Sequence, residues 1–222
     1  MSPTISDEMK EQELQDLRLD YTKHSLDESD VKADPFAQFE IWFEEALKAE
    51  VSEANAFTLS TVDGESKPHS RIVLLKGLEG KAFKFYTNYG SDKGAEIEAN
   101  PNVSMCFFWG ELERQVRIDG VATKLPIEES EAYFKSRPHM SQIGAHASHQ
   151  SKEVPNREFL DETFQKMKAS FKEGNVPKPS FWGGYGISPT YFEFWQGRPS
   201  RLHDRIAYSF SEGSWKIKRL SP

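Results

Sequence analysis

Cysteine is nearly absent. The chain of 222 residues holds a single one, Cys106, so no internal disulfide can form and a disulfide-stapled secreted fold is excluded. Cys106 lies in the apolar run 103–109, where a buried structural thiol is expected rather than a nucleophile. That run falls far short of the ~20 apolar residues that a membrane helix needs, so no membrane association is expected. Glycine-rich phosphate loops are also missing: there is no P-loop and no Gly-x-Gly-x-x-Gly after a strand. Gly183, Gly184 and Gly186 read as a turn between elements. No Gly-x-Ser-x-Gly elbow nominates a nucleophilic serine. Net positive charge is lacking too, with 28 Lys plus Arg against 35 Asp plus Glu, a balance of −7. That sign argues against nucleic acid as a partner, because a polyphosphate calls for excess cations. The first residues hold neither the apolar stretch of a secretory signal nor the basic character of a mitochondrial presequence, so a cytoplasmic location is expected.

The acidity is concentrated. Residues 1–30 carry nine acids and three bases, and the body from 31 to 222 carries 26 acids and 25 bases. The division expected is an acidic, mobile segment 1–30 and one globular domain 31–222. In the body, Asp34-Pro35 opens a helix reaching about Glu50, with Phe36, Phe39, Phe43, Ala46 and Leu47 on its apolar stripe. Strands are expected over 56–62 and 70–75 around an Asp63-Gly64 turn, then over 81–87, 103–109 and 114–123. Further strands are expected over 190–195, 205–210 and 214–219. Helices are expected from Ser91 to Ala99, from Pro126 to Ser136 and from about Asn156 to Phe171. No βαβ alternation appears. The fold class is therefore mainly β with α, a mostly antiparallel barrel with helices packed outside.

His139, His146 and His149 raise a metal reading, but no carboxylate or cysteine is placed to complete a tetrahedral set, so no metal is expected. Cations set within or beside apolar strands are the distinctive feature. Arg71-Ile-Val-Leu-Leu-Lys76 brackets four aliphatic residues, and related clusters recur at 133–141 and 201–205. A strand-end cation often just reaches solvent. Arg nevertheless offers a planar fork suited to phosphate, and Ser and Tyr hydroxyls add donors, so several such clusters in a near-neutral body point to an anionic small molecule.

These clusters belong to an ordered set of motifs running from Arg18 to Pro222. They include Asp34-Pro35, Arg71–Lys76, Phe85-Tyr86-Thr87-Asn88, Glu113–Val116, Ser136-Arg137-Pro138, Ser141–Ala145, Ser148–Ser151, Pro179–Gly184, Glu193–Gly197, Arg201–Arg205 and Arg219–Pro222. The set resembles the pyridoxine (pyridoxamine) 5′-phosphate oxidase family. The resemblance implies an FMN-binding split barrel, and a homodimer with FMN at the subunit interface. It implies oxidation of pyridoxine or pyridoxamine 5′-phosphate, with O2 as acceptor and H2O2 released. By motif position, Arg71, Ile72, Val73, Leu74, Leu75, Lys76, Tyr86 and Thr87 would line the flavin, with Arg71 and Lys93 on its phosphate and Gln115 at the isoalloxazine edge. Gln150, Ser151, Trp195 and Arg205 would reach the same FMN from the other subunit. Lys76, Tyr133, Arg137 and Ser141 would hold the substrate phosphate, with Arg201, Leu202 and His203 at the substrate and Arg201 and His203 as the catalytic pair. Arg18 to Tyr21 would form a lid over the site.

Two departures from the family pattern stand out. The family commonly carries Ser-Arg-Lys where this chain has Ser91-Asp92-Lys93, which implies weaker FMN retention. Relatives often carry bases where this chain has Leu26-Asp27-Glu28-Ser29-Asp30. The competing functions are a non-catalytic flavin-binding split barrel and a pyridoxal-phosphate reservoir. Retention of both Arg201–Arg205 and the Lys76, Tyr133, Arg137, Ser141 set favours the enzyme.

Overall fold

The computed structural model describes residues 16–17 and 19–222. The first helix, α1 (Pro35–Lys48), starts as its sequence dictates: Asp34 accepts the Phe36 backbone N–H at 3.0 Å, and Pro35 sits where no N–H is needed. Its buried stripe is Phe36, Phe39, Trp42 and Ala46, while the expected Leu47 is exposed. Phe39 meets Phe83 edge-on at 4.9 Å, and Trp42 meets Phe194 at 5.2 Å, which fixes the helix across the barrel core.

Nine strands form one antiparallel sheet: β1 (Ala56–Val62), β2 (Pro68–Leu74), β3 (Gly77–Glu79), β4 (Ala82–Asn88), β5 (Asn102–Trp109), β6 (Arg114–Lys124), β7 (Trp182–Gln196), β8 (Asp204–Ser211) and β9 (Ser214–Arg219). The order is β2-β1-β5-β6-β7-β4-β3, with β8 on β7 and β9 on β8. Lys76 N–H donates to the Lys84 carbonyl at 2.8 Å, joining the end of β2 to β4. Those strands lie far apart in the strand order, so this link curls the sheet into a barrel. Alternation puts Phe57, Leu59, Phe83, Phe85, Met105, Phe107, Val116 and Ile118 inside. The mainly-β split-barrel expectation is borne out.

Two local readings are corrected. Gly183, Gly184 and Gly186 are not a turn but the opening of β7, paired with β4 from Asn88↔Trp182 to Phe83↔Ile187. A Cβ on Gly184 would stand 2.6 Å from Leu125 and 2.7 Å from the Tyr86 ring, so these glycines let side chains lie flat on the strand. A helix also forms over His139–Ala147, where no element was expected. Pro138 precedes it without a side-chain cap, so the usual start signal is missing. We number the helices α2 (Asp92–Ala99), α3 (Ile127–Ser136), α4 (His139–Ala147) and α5 (Arg157–Ser170). Phe134 and Ile143 from α3 and α4 pack with Val176 and Trp182 in a second apolar cluster beside the barrel.

Of the acidic segment expected to be mobile, residues 1–15 and Arg18 lie outside the described residues. The stretch from Tyr21 to Asp30 rests on the body. Leu26 is buried, and Arg219 pairs with Asp27 at 3.2 Å, Glu28 at 2.6 Å and Asp204 at 2.9 Å. Asp27 and Glu28 thus face a cation on the last strand.

Candidate functional site

A cavity of about 720 Å³ opens between the barrel and the outer helices. β2 contributes Arg71, Ile72, Val73 and Leu74, followed by Lys76; the end of β4 contributes Tyr86, Thr87 and Asn88. Lys93 enters from α2, Tyr133 from α3, and Arg137, Ser141, Ser148, Gln150 and Trp182 complete the wall. Leu75, just past the end of β2, does not line the cavity and is buried in the barrel core.

Lys93 is placed by its helix start. Ser91 caps α2 by accepting the Gly94 N–H, which fixes the helix start that carries Lys93 inward. The Lys93 ammonium is buried and lies 2.8 Å from Gln150 Oε1, 3.3 Å from Ser91 Oγ and 3.4 Å from Thr87 Oγ1. Burial, and then the nearby Arg71 charge, hold its pKa below the ordinary lysine value. Asp92 points to solvent, and its N–H donates to Ser151 Oγ at 3.2 Å. Gln150 and Ser151 therefore stand beside Lys93 in the same chain. The turn after α4 brings them back to the start of α2.

Across the cavity, Tyr133 stacks on Tyr86 with centroids 3.8 Å apart, and Tyr86 stacks on Trp182 at 5.6 Å. The Arg137 guanidinium lies 4.7 Å above Trp182, held by cation–π attraction. Its Nη1 is buried with no hydrogen-bond partner among the described residues. Burial, and then Glu129, push the Tyr86 phenol up to about 12, and burial raises Tyr133, so both are neutral donors near pH 7. Ser141 lies in the first turn of α4.

The remaining predicted residues gather elsewhere. Gln115, Trp195 and Arg205 are directly opposed across β6, β7 and β8, forming one cross-strand row. Trp195 packs on His203 at 4.7 Å, and Tyr21 meets Trp195 at 5.6 Å and His203 at 5.8 Å. Arg201 and His203 line a second depression of about 760 Å³ with Tyr21 and Arg198. Arg198 N–H donates to His203 Nδ1 at 3.1 Å, so a neutral imidazole carries its proton on Nε2. Burial and then Arg201 hold the His203 pKa below its ordinary value. Ser200 and Arg201 both take positive φ, 57° and 61°, a strained turn that presents Arg201 and the exposed Leu202 outward.

Two buried carboxylates make ion pairs that the sequence did not signal. Glu96 accepts from Arg71 Nη2 at 3.0 Å, and Glu193 takes Arg205 in a fork at 2.9 and 3.1 Å. Both partners lie far along the chain. Two of the histidines raised as metal ligands have other contacts: His146 Nε2 lies 2.7 Å from the Pro177 carbonyl, and His149 packs near Phe181.

Fold and site together define a split-barrel protein with a cation-lined cavity. The family profile described as pyridoxamine 5′-phosphate oxidase matches residues 43–171, and that of the pyridoxine 5′-phosphate oxidase C-terminal dimerisation region matches 182–222. A pyridoxine/pyridoxamine 5′-phosphate oxidase of Cupriavidus pinatubonensis is 54% identical over 95% of this chain and 99% of its own. A protein of the same name from Leptospira interrogans is 51% identical over 94% and 98%. Among solved structures, PhzG from Burkholderia lata, in complex with tetrahydrophenazine-1-carboxylic acid, superposes with a TM-score of 0.82 at 28% identity, covering 87% of this chain and 95% of that one. The chain belongs to the pyridoxamine 5′-phosphate oxidase family.

Proposed function

We propose that this chain is an FMN-dependent oxidase of pyridoxine 5′-phosphate and pyridoxamine 5′-phosphate, acting in vitamin B6 salvage. The alcohol and O2 give pyridoxal 5′-phosphate and H2O2; the amine, O2 and water give the same aldehyde, ammonia and H2O2. The observation that carries the reading is a pair of unneutralised cations in one cavity. Lys93 is buried among neutral acceptors, and Arg137 Nη1 is buried with no acceptor among the described residues. Buried cations are normally paired, so each awaits an anion. A flavin-only binder needs one phosphate site, whereas a flavin enzyme with a phosphorylated substrate needs two.

The residues present fit FMN. Lys93, Arg71 and Thr87 would hold its phosphate, joined by Gln150 and Ser151 from the same chain, with Ile72 to Leu74 and Tyr86 along the flavin. Once bound, FMN supplies the acceptor for the substrate hydride and passes the electrons to O2. The chain supplies placement. Arg137, Lys76, Tyr133 and Ser141 neutralise and orient the substrate phosphate through charge-assisted bonds. The aromatic stack of Tyr133, Tyr86 and Trp182 walls this side from water. Neutral His203 offers Nε2–H as a donor, and Arg201 offers positive charge to the substrate ring.

The second cluster completes the site through dimerisation. Trp195, Arg201, His203 and Arg205 fall in the segment matched by the dimerisation-region profile. A homodimer would bring this cluster, with Gln115, against the partner's cavity and place FMN at the interface. Exposed Ile72, Phe108 and Leu202, between 59% and 70% accessible, are apolar surface suited to such a contact. Tyr21 on Trp195 and His203 is the lid element. Among the described residues no helix is long and apolar enough to cross a membrane, and we place the enzyme in the cytoplasm. The test is aerobic incubation of FMN-loaded protein with pyridoxine 5′-phosphate. Aldehyde and peroxide should appear in equal amounts; flavin that does not bleach anaerobically with substrate refutes the reading.

A further inference from the structure

Arg71 in the cavity wall pairs with a negative charge that the proposed chemistry does not use. Glu96 projects from α2, is 7% exposed, and stands against the arginine assigned to the flavin phosphate. Its Oε2 accepts from Arg71 Nη2 at 3.0 Å and from the Thr61 hydroxyl, and its Oε1 lies 2.6 Å from His69 Nδ1. Burial alone would raise the Glu96 carboxyl, but hydrogen bonds from Thr61, His69 and Arg71 outweigh it and hold its pKa below the ordinary value. By charge alone, an anion here weakens phosphate binding.

Geometry gives the reason for its presence. Arg71 Nη1 donates to the Thr61 hydroxyl, to the His69 carbonyl at 3.2 Å and to the Leu59 carbonyl at 3.4 Å. With Glu96 on Nη2, the acceptors within the chain occupy the two terminal nitrogens. No hydrogen bond from Arg71 Nε is made within the described residues. A guanidinium presents its donors in a rigid plane, so fixing one part of the fork aims the rest. We infer that Glu96 is a positioning residue: it clamps Arg71 so that the remaining donors face the flavin phosphate. The inference rests on the FMN reading above. Thr61 is the second jaw of the clamp, and His69 closes the far oxygen of Glu96.

The role depends on where the oxygen stands and not on its charge, which makes it testable. Glutamine can keep the Arg71 and Thr61 contacts with its carbonyl oxygen and donate its amide to His69 Nδ1. Aspartate keeps the charge but withdraws the oxygens by one methylene. FMN and riboflavin are titrated into apo wild type, Glu96→Gln and Glu96→Asp by quenching of flavin fluorescence, with melting temperatures recorded alongside. Glu96→Asp should weaken FMN binding about tenfold, the size of one lost charge-assisted bond, and leave riboflavin binding within about twofold. Glu96→Gln should stay within about threefold for both flavins, since its hydrogen bond persists without the charge. An aspartate variant that binds FMN like wild type overturns the inference. So does a glutamine variant that loses tenfold, or a loss shared equally by riboflavin, which marks a structural role only. Wild-type protein that binds neither flavin refutes the FMN reading instead.

Discussion

Replacing Lys93 with methionine should separate phosphate recognition from folding. Lys93 is 9% exposed, and the acceptors of its ammonium, Gln150, Ser91 and Thr87, are all neutral. A lysine whose folded pKa lies below its unfolded one costs stability wherever it is protonated. That cost fades as pH rises through the folded pKa toward the unfolded value of about 10.5. Burial and Arg71 place Lys93 in this class. Methionine keeps the length and removes the charge, so apo Lys93→Met should melt at the wild-type temperature or above. FMN binding should suffer. A unit charge about 4 Å from a phosphate charge is worth ~4 kcal/mol at an effective dielectric of ~20. The net value of a hydrogen bond to a charged group is ~1.5–3 kcal/mol, and this smaller range implies an FMN Kd raised about 10- to 100-fold. Riboflavin affinity should hold. Wild-type FMN affinity should also decline as pH climbs through the depressed Lys93 pKa, and the variant should lose that dependence. Flavin titrations across alkaline pH, with calorimetric melting of the apo protein, read all of this. Equal losses for FMN and riboflavin, or an apo form less stable than wild type, would show that Lys93 serves folding and not phosphate.

Three further outcomes are expected. Arg137→Ala should raise KM for pyridoxine 5′-phosphate by about 10- to 100-fold with a small change in FMN affinity, since Nη1 is the orphaned donor on the substrate side; steady-state kinetics beside flavin titration check it. Asp92→Arg should tighten FMN binding while costing up to about 1 kcal/mol of stability, because an acid suits the first turn of α2 and an arginine does not; titration and melting together read both signs. For Glu193, burial raises the carboxyl pKa, but hydrogen bonds from Arg205 and Tyr191 outweigh it and set the value below the ordinary 4.5. Its stabilisation is therefore full above that value and lost as pH falls through the depressed one. Glu193→Leu, which strands Arg205, should cost about 3–5 kcal/mol at neutral pH in denaturant unfolding and flatten the loss in acid.

Much of this molecule is legible along the chain because its signals are local. Ser91 caps α2, Asp34-Pro35 starts α1, and β1 and β9 fall where alternation and turns put them. The cations that line the cavity are also visible as breaks in apolar strands. The ordered motifs carry the family and the residue types of both proposed phosphate sites. Other features arise only when distant segments meet. The Glu96 to Arg71 clamp spans 25 residues, and the Arg205 to Glu193 fork joins two strands. Gly183 and Gly184 read as a turn because glycine usually marks one. Their reason is the packing of Tyr89, Tyr86 and Leu125 over a strand, which no neighbouring residue announces. The division of the predicted site is likewise tertiary. Barrel curvature gathers Arg71, Lys93, Arg137 and Gln150 into one cavity and leaves Trp195, Arg201, His203 and Arg205 at another edge. Residue order states which groups are present. Only the closure of the sheet, through long-range hydrogen bonds and a shared aromatic core, decides which of them can act on the same ligand.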